Sequence, residues 1–102
     1  MSTLHTVNKS PFEKRSLDSC LRVLEPACAV LFLEDGVYAA MKGTVVESKI
    51  LDASVLYRIY ALTPDLEARG LQSCDCIETV EFVDYAGFVD LALEHDKVQA
   101  WL

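Results

Sequence analysis

The chain has 102 residues, 52% of them apolar, with a net charge of −7 and a mean hydropathy of +0.23. That length makes one domain, the aliphatic content excludes disorder, and the longest apolar run, seven residues at 27–33, falls far short of the roughly twenty a bilayer requires. Residues 65–102 hold nine acids against two bases, which would repel a phosphate backbone, so no direct nucleic-acid binding is expected.

The elements read in chain order as alternating strands and helices. Residues 3–7 form an opening strand. Ser10-Pro11-Phe12-Glu13 then reads as a helix start, with Ser10 as cap, Pro11 at the first helical position and Glu13 closing a capping box. Leu17, Cys20, Leu21 and Leu24 follow at helical spacing, and Pro26 stops that helix. Residues 28–33 are apolar on both faces, as in a central parallel strand covered on both sides. Glu34-Asp35-Gly36 ends it, and a short helix over 37–41 stops at Gly43.

Residues 44–54 are the least legible, with a turn of helix around 47–51. The next strand is expected over 55–62. Thr63-Pro64 opens a short helix that Gly70 closes, 72–76 is a polar loop, and 77–83 is the last strand. Asp84 caps a final helix on which Phe88, Leu91, Ala92 and His95 share a face, widened by Val89 and Leu93. This pattern predicts a single-domain α/β three-layer sandwich over residues 1–102, on a mostly parallel sheet of four or five strands. The apolar excess, the wide apolar face of the last helix and the terminal Trp101-Leu102 predict a surface that packs against another subunit, with Phe88, Val89, Leu91 and Trp101 as interface candidates.

Few residues carry chemistry. No glycine-rich phosphate loop is present, the two histidines lie far apart, and no cysteines have CxxC spacing, so neither metal nor cofactor is expected. Glu34-Asp35 could act as a phosphoacceptor pair, but Val83-Asp84-Tyr85 stands where receiver domains place a lysine, and turn chemistry explains the acids. Residues 1–7 lack a basic segment followed by a long apolar one, so a cytoplasmic setting and four free thiols are expected. Cys28 starts a buried strand and reads as packing. Asp75 disfavours thiolate at Cys74 and Cys76. Cys20 has two readings: packing on the stripe, or a reachable thiol at its edge beside Ser16 and Ser19.

Several segments resemble one family. Leu4-His5-Thr6-Val7-Asn8-Lys9-Ser10-Pro11-Phe12 is similar to the opening of the DsrH/TusB family, and Asp35-Gly36-Val37-Tyr38-Ala39-Ala40 to its strand-end motif. Tyr60-Ala61-Leu62, Asp65-Leu66-Glu67-Ala68-Arg69-Gly70-Leu71, Asp84-Tyr85-Ala86-Gly87-Phe88-Val89 and Ala100-Trp101-Leu102 follow the family pattern in order. The resemblance implies a DsrE-like fold and a cytoplasmic subunit of a heterohexameric sulfur relay, a sulfur-carrier component and not a stand-alone enzyme. Its implied partners are DsrE-like and DsrF-like subunits (or TusD and TusC), with a DsrC/TusE-type carrier downstream and no membrane or nucleic acid.

One branch of the family serves sulfur oxidation and the other tRNA 2-thiouridine synthesis. In both, the principal sulfur-accepting cysteine is implied to lie on the DsrE/TusD subunit. A cysteine in the first helix resembles the sulfur-oxidising DsrH branch, so that branch is expected, with Cys20 as the candidate persulfide or redox thiol. The alternative is a structural subunit of the thiouridine branch. Exposure of Cys20 distinguishes carrier from scaffold.

Overall fold

A computed structural model of the chain describes residues 2–102. Five strands form one sheet: β1 (Thr3–Val7), β2 (Ala29–Phe32), β3 (Arg58–Leu62), β4 (Glu81–Val83) and β5 (Lys97–Trp101). Their order is β4-β3-β2-β1-β5, and every neighbouring pair is parallel. The chain steps outward from β1 to β4, then crosses the sheet to add β5 on the far side of β1. β2 sits in the middle, and its four residues are all buried, which is why 28–33 carries no polar position.

The helices are α1 (Ser16–Arg22), α2 (Glu47–Leu56), α3 (Thr63–Ala68) and α4 (Tyr85–Glu94), with 3-10 turns at Glu34–Ala40 and Ser73–Asp75. The layers are unequal. One face of the sheet presents Val7, Val30, Phe32, Ile59 and Ala61 to Leu17, Cys20, Ile50 and Leu66 from α1, α2 and α3. The other presents Leu4, Ala29, Leu31, Tyr60 and Leu62 to Leu91 of α4, flanked by Phe88 and Ala92. The predicted three-layer α/β sandwich is the observed fold, with a single helix forming its third layer.

Two local signals act as expected. Asp84 caps α4, its carboxylate accepting from Gly87 N–H at 2.8 Å. Gly70 (φ +69) closes α3 with Leu71 N–H bonding Leu66 O and Gly70 N–H bonding Glu67 O, the pair of bonds that ends a helix through a left-handed glycine.

Four expectations are corrected. The first helix begins at Ser16, not at Ser10-Pro11: Ser10 O accepts from Glu13 N–H and Lys14 N–H and its hydroxyl from Phe12 N–H, so its capping closes a separate turn. Val55 and Leu56 finish α2 and are 81% and 76% exposed, leaving β3 to start at Arg58. Of 77–83 only the last three residues pair as β4, because Ile77 and Val80 turn into the core instead. The last strand is β5 and not 77–83, in a segment beyond His95 to which the sequence pattern assigns no element.

Candidate functional site

Cys20 lies on the inward stripe of α1 beside Leu17 and is 0% exposed. Burial, and secondarily the nearby Cys28, pushes its thiol up to about 12. Essentially no thiolate exists there near neutral pH, and no reagent reaches it without opening of the core. Of the two readings left open by its spacing, the fold places Cys20 on the enclosed stripe and not at a reachable edge beside Ser16 and Ser19.

The other thiols, all free, divide by exposure. Cys28 directly precedes β2, is 8% exposed, and borders two cavities at the end of the sheet where the strands begin. Cys74 is exposed on the second 3-10 turn, its sulfur 3.5 Å from Gln72 Oε1. Cys76 is buried, with its thiol 3.6 Å from Gln72 O and 4.0 Å from Met41 Sδ. Burial first, and then Asp75, raises the Cys76 thiol above its ordinary range.

The acids at the opposite end of the strands are engaged structurally. Glu34 adopts φ +50, and its N–H bonds the Asp65 carboxylate. Asp35 Oδ1 accepts from Arg69 Nε at 3.1 Å and Nη2 at 2.9 Å. These bonds tie the first 3-10 turn to α3, so the pair does turn work. No group of three or more metal-ligating side chains gathers among the described residues.

The four interface candidates separate. Leu91 is buried under the sheet and Phe88 packs beside it, so both serve this chain's own core. Trp101 also packs internally, donating Nε1–H to His5 Nδ1 at 3.0 Å. Val89 remains exposed at 56%, on the outer side of α4 with Tyr85 and Leu93. Tyr85 precedes and Leu93 follows Val89 at one-turn spacing, a pattern the widened face registered in part, through Val89 and Leu93. Among the described residues no helix is long and apolar enough to cross a membrane.

The family model described as DsrH like protein matches residues 9–98. Protein TusB of Pectobacterium atrosepticum is 42% identical over 96% of this chain and 99% of its own length. Protein TusB of Escherichia coli (strain K12 / DH10B) is 35% identical over the same shares. Among solved structures, the ychN protein from E. coli superposes with TM-score 0.78 at 18% identity, covering 98% of this chain and 99% of that one. MTH1491 from Methanobacterium thermoautotrophicum, described as a protein of unknown function, gives 0.72 at 17% identity, covering 97% and 96%. These two likenesses concern the fold alone. The TusB relatives overturn the sulfur-oxidising DsrH assignment drawn from Cys20. Cys20 itself is fully enclosed in the core.

Proposed function

Because the chain belongs to the DsrH-like family and is similar along nearly its whole length to TusB proteins, we propose that it is a TusB-type subunit of a cytoplasmic sulfur relay for tRNA 2-thiouridine synthesis. That whole-length similarity carries the reading. Its partners are one TusC-like and one TusD-like subunit, and a TusE-type carrier takes the sulfur onward. The role of this chain is structural: it positions the partner that bears the sulfur-accepting cysteine.

Persulfide transfer requires a thiolate that one donor can reach and a second thiol can attack. Cys20 offers neither in this fold, which supports packing as its function. Tyr85, Val89 and Leu93 give α4 an apolar outer side that suits burial against a subunit. Deleting the gene in its host is expected to lower tRNA 2-thiouridine, and Cys20→Ala is expected to restore it as well as the parent does. Unchanged 2-thiouridine in the deletion strain overturns the relay assignment; failure of a folded Cys20→Ala chain to restore it overturns the structural role.

A further inference from the structure

The sheet face that packs α1 is apolar except in one corner. Parallel pairing sets Thr3 beside Lys97 and His5 beside Gln99, and strand alternation turns these residues to the same side as Val7 and Trp101. Elsewhere on this face β2 and β3 present Val30, Phe32, Ile59 and Ala61. The four polar residues, with Glu25 and Cys28 at the border, line a cavity of about 230 Å³.

One group in that corner lacks a partner. Indole N–H is a donor only, so the 3.0 Å bond from Trp101 fixes His5 Nδ1 as acceptor and places the ring proton on Nε2. His5 borders the cavity and Trp101 does not. Nε2 is the ring nitrogen left free, on a residue that lines the cavity. His5 is 3% exposed, and its Nε2 meets no acceptor among the described residues. Burial, and then Lys97, lowers its pKa from the ordinary histidine value, which keeps this neutral tautomer at neutral pH. Among the described residues Asn8 Oδ1 is the fully enclosed side-chain polar atom left without a partner, so His5 Nε2–H keeps some access and is free to donate outward. Lys97 supplies a positive charge to the same cavity and makes no ion pair among the described residues. Glu25 stands exposed at the rim without pairing to it.

We propose that this cavity is a binding site for a small oxyanion, held by His5 Nε2–H and the Lys97 ammonium, with Thr3 and Gln99 as further donors and the Cys28 thiol beside it. Carboxylates and tetrahedral oxyanions share this recognition chemistry. The site is non-covalent and stands or falls independently of the relay, since no sulfur transfer enters the argument.

The full-length chain is titrated with sodium sulfate and, separately, sodium acetate, with chloride holding ionic strength constant. Iodoacetamide modification of Cys28 is followed by peptide mass spectrometry, with exposed Cys74 as internal control, and the His5 ring is followed by NMR. At ten times its half-saturating concentration, a bound anion is expected to protect Cys28 about tenfold. Cys74 should be unaffected, and the His5 resonances should move with the same saturation. Response to sulfate alone identifies a tetrahedral site, response to acetate alone a carboxylate site, and response to both the shared chemistry. Lys97→Met, a change at an exposed edge position, is expected to weaken binding about tenfold. Absence of saturable protection with either anion overturns the proposal, as does equal protection of Cys74 or unchanged affinity in Lys97→Met. Thr3→Val provides a second variant, expected to weaken binding without removing the charge; unchanged affinity there also counts against the site.

Discussion

Gly36→Ala is expected to be among the most damaging single methyl additions in this protein. Gly36 is buried in the 3-10 turn that follows β2. A β-carbon there would stand 2.0 Å from the carbonyl oxygen of Val7 and 2.8 Å from its carbonyl carbon. An ordinary carbon–oxygen contact is about 3.3 Å, so either the turn or the end of β1 must retreat by more than an ångström. The same Val7 oxygen accepts from Leu33 N–H at 3.1 Å, and Gly36 N–H bonds Leu33 O at 2.9 Å. Retreat weakens both bonds, at about 1 kcal/mol each, and overpacking adds about 1–3 kcal/mol. The expected loss is about 3–5 kcal/mol, against a total stability on the order of 5–15 kcal/mol.

Gly43→Ala is the matched control. Gly43 has φ +78, and its added β-carbon meets nothing within 4 Å, so it bears only the left-handed penalty of about 1–2 kcal/mol. Urea unfolding followed by fluorescence of Trp101, the one tryptophan in the chain, measures both variants. Equal losses for Gly36→Ala and Gly43→Ala would refute the close-approach argument.

Three further outcomes follow from the same structure. Cys20→Ser places a hydroxyl in a fully enclosed apolar site and should cost about 1–3 kcal/mol in urea unfolding; a neutral result would mean that the site is wet or open. Below the ordinary histidine value, a folded state that keeps His5 neutral binds fewer protons than the unfolded chain, so His5's stabilising contribution is full above about pH 6.5 and declines as pH falls toward the lowered folded pKa. His5→Gln should flatten that part of the pH–stability profile, and an unchanged slope would contradict the buried, neutral ring. Val89→Asp should leave unfolding of the isolated chain within about 0.5 kcal/mol while weakening association with the partner subunits in sedimentation; normal assembly would remove the outer side of α4 from the interface.

The legible parts of the fold were those where local chemistry and tertiary position agree. The apolar run that became β2, the glycine that ends α3 and the aspartate that caps α4 each form as read because one physical requirement decides them. β5 was missed because it is an edge strand. Lys97, Val98, Gln99 and Ala100 are all exposed, and neither glycine nor proline separates them from a helix whose apolar spacing runs on to His95. Val55 and Leu56 misled in the opposite direction, since β-branched and apolar residues on an exposed helix end look like the start of a buried strand.

The thiol chemistry was half visible. Helical spacing placed Cys20 on the inward stripe, but depth beneath the sheet depends on how closely α1 packs, which spacing does not encode. The His5–Trp101 contact was out of reach for the same reason as β5. Its partners lie 96 positions apart, and they meet only because β5 returns to pair with β1. Asp35-Gly36-Val37 stood out as a motif, and the structure supplies its reason: glycine is required where the turn passes against Val7 O.

The central claim, that this chain scaffolds a thiouridine sulfur relay without carrying sulfur on Cys20, is tested most directly by persulfide loading of the assembled complex. The complex with its TusC-like and TusD-like partners is treated with a persulfide donor, alkylated and analysed subunit by subunit by mass spectrometry. The expected result is one added sulfur atom on the TusD-like subunit and none on the peptide of this chain that contains Cys20. Added sulfur on that peptide, absent from the Cys20→Ala complex, would contradict the claim.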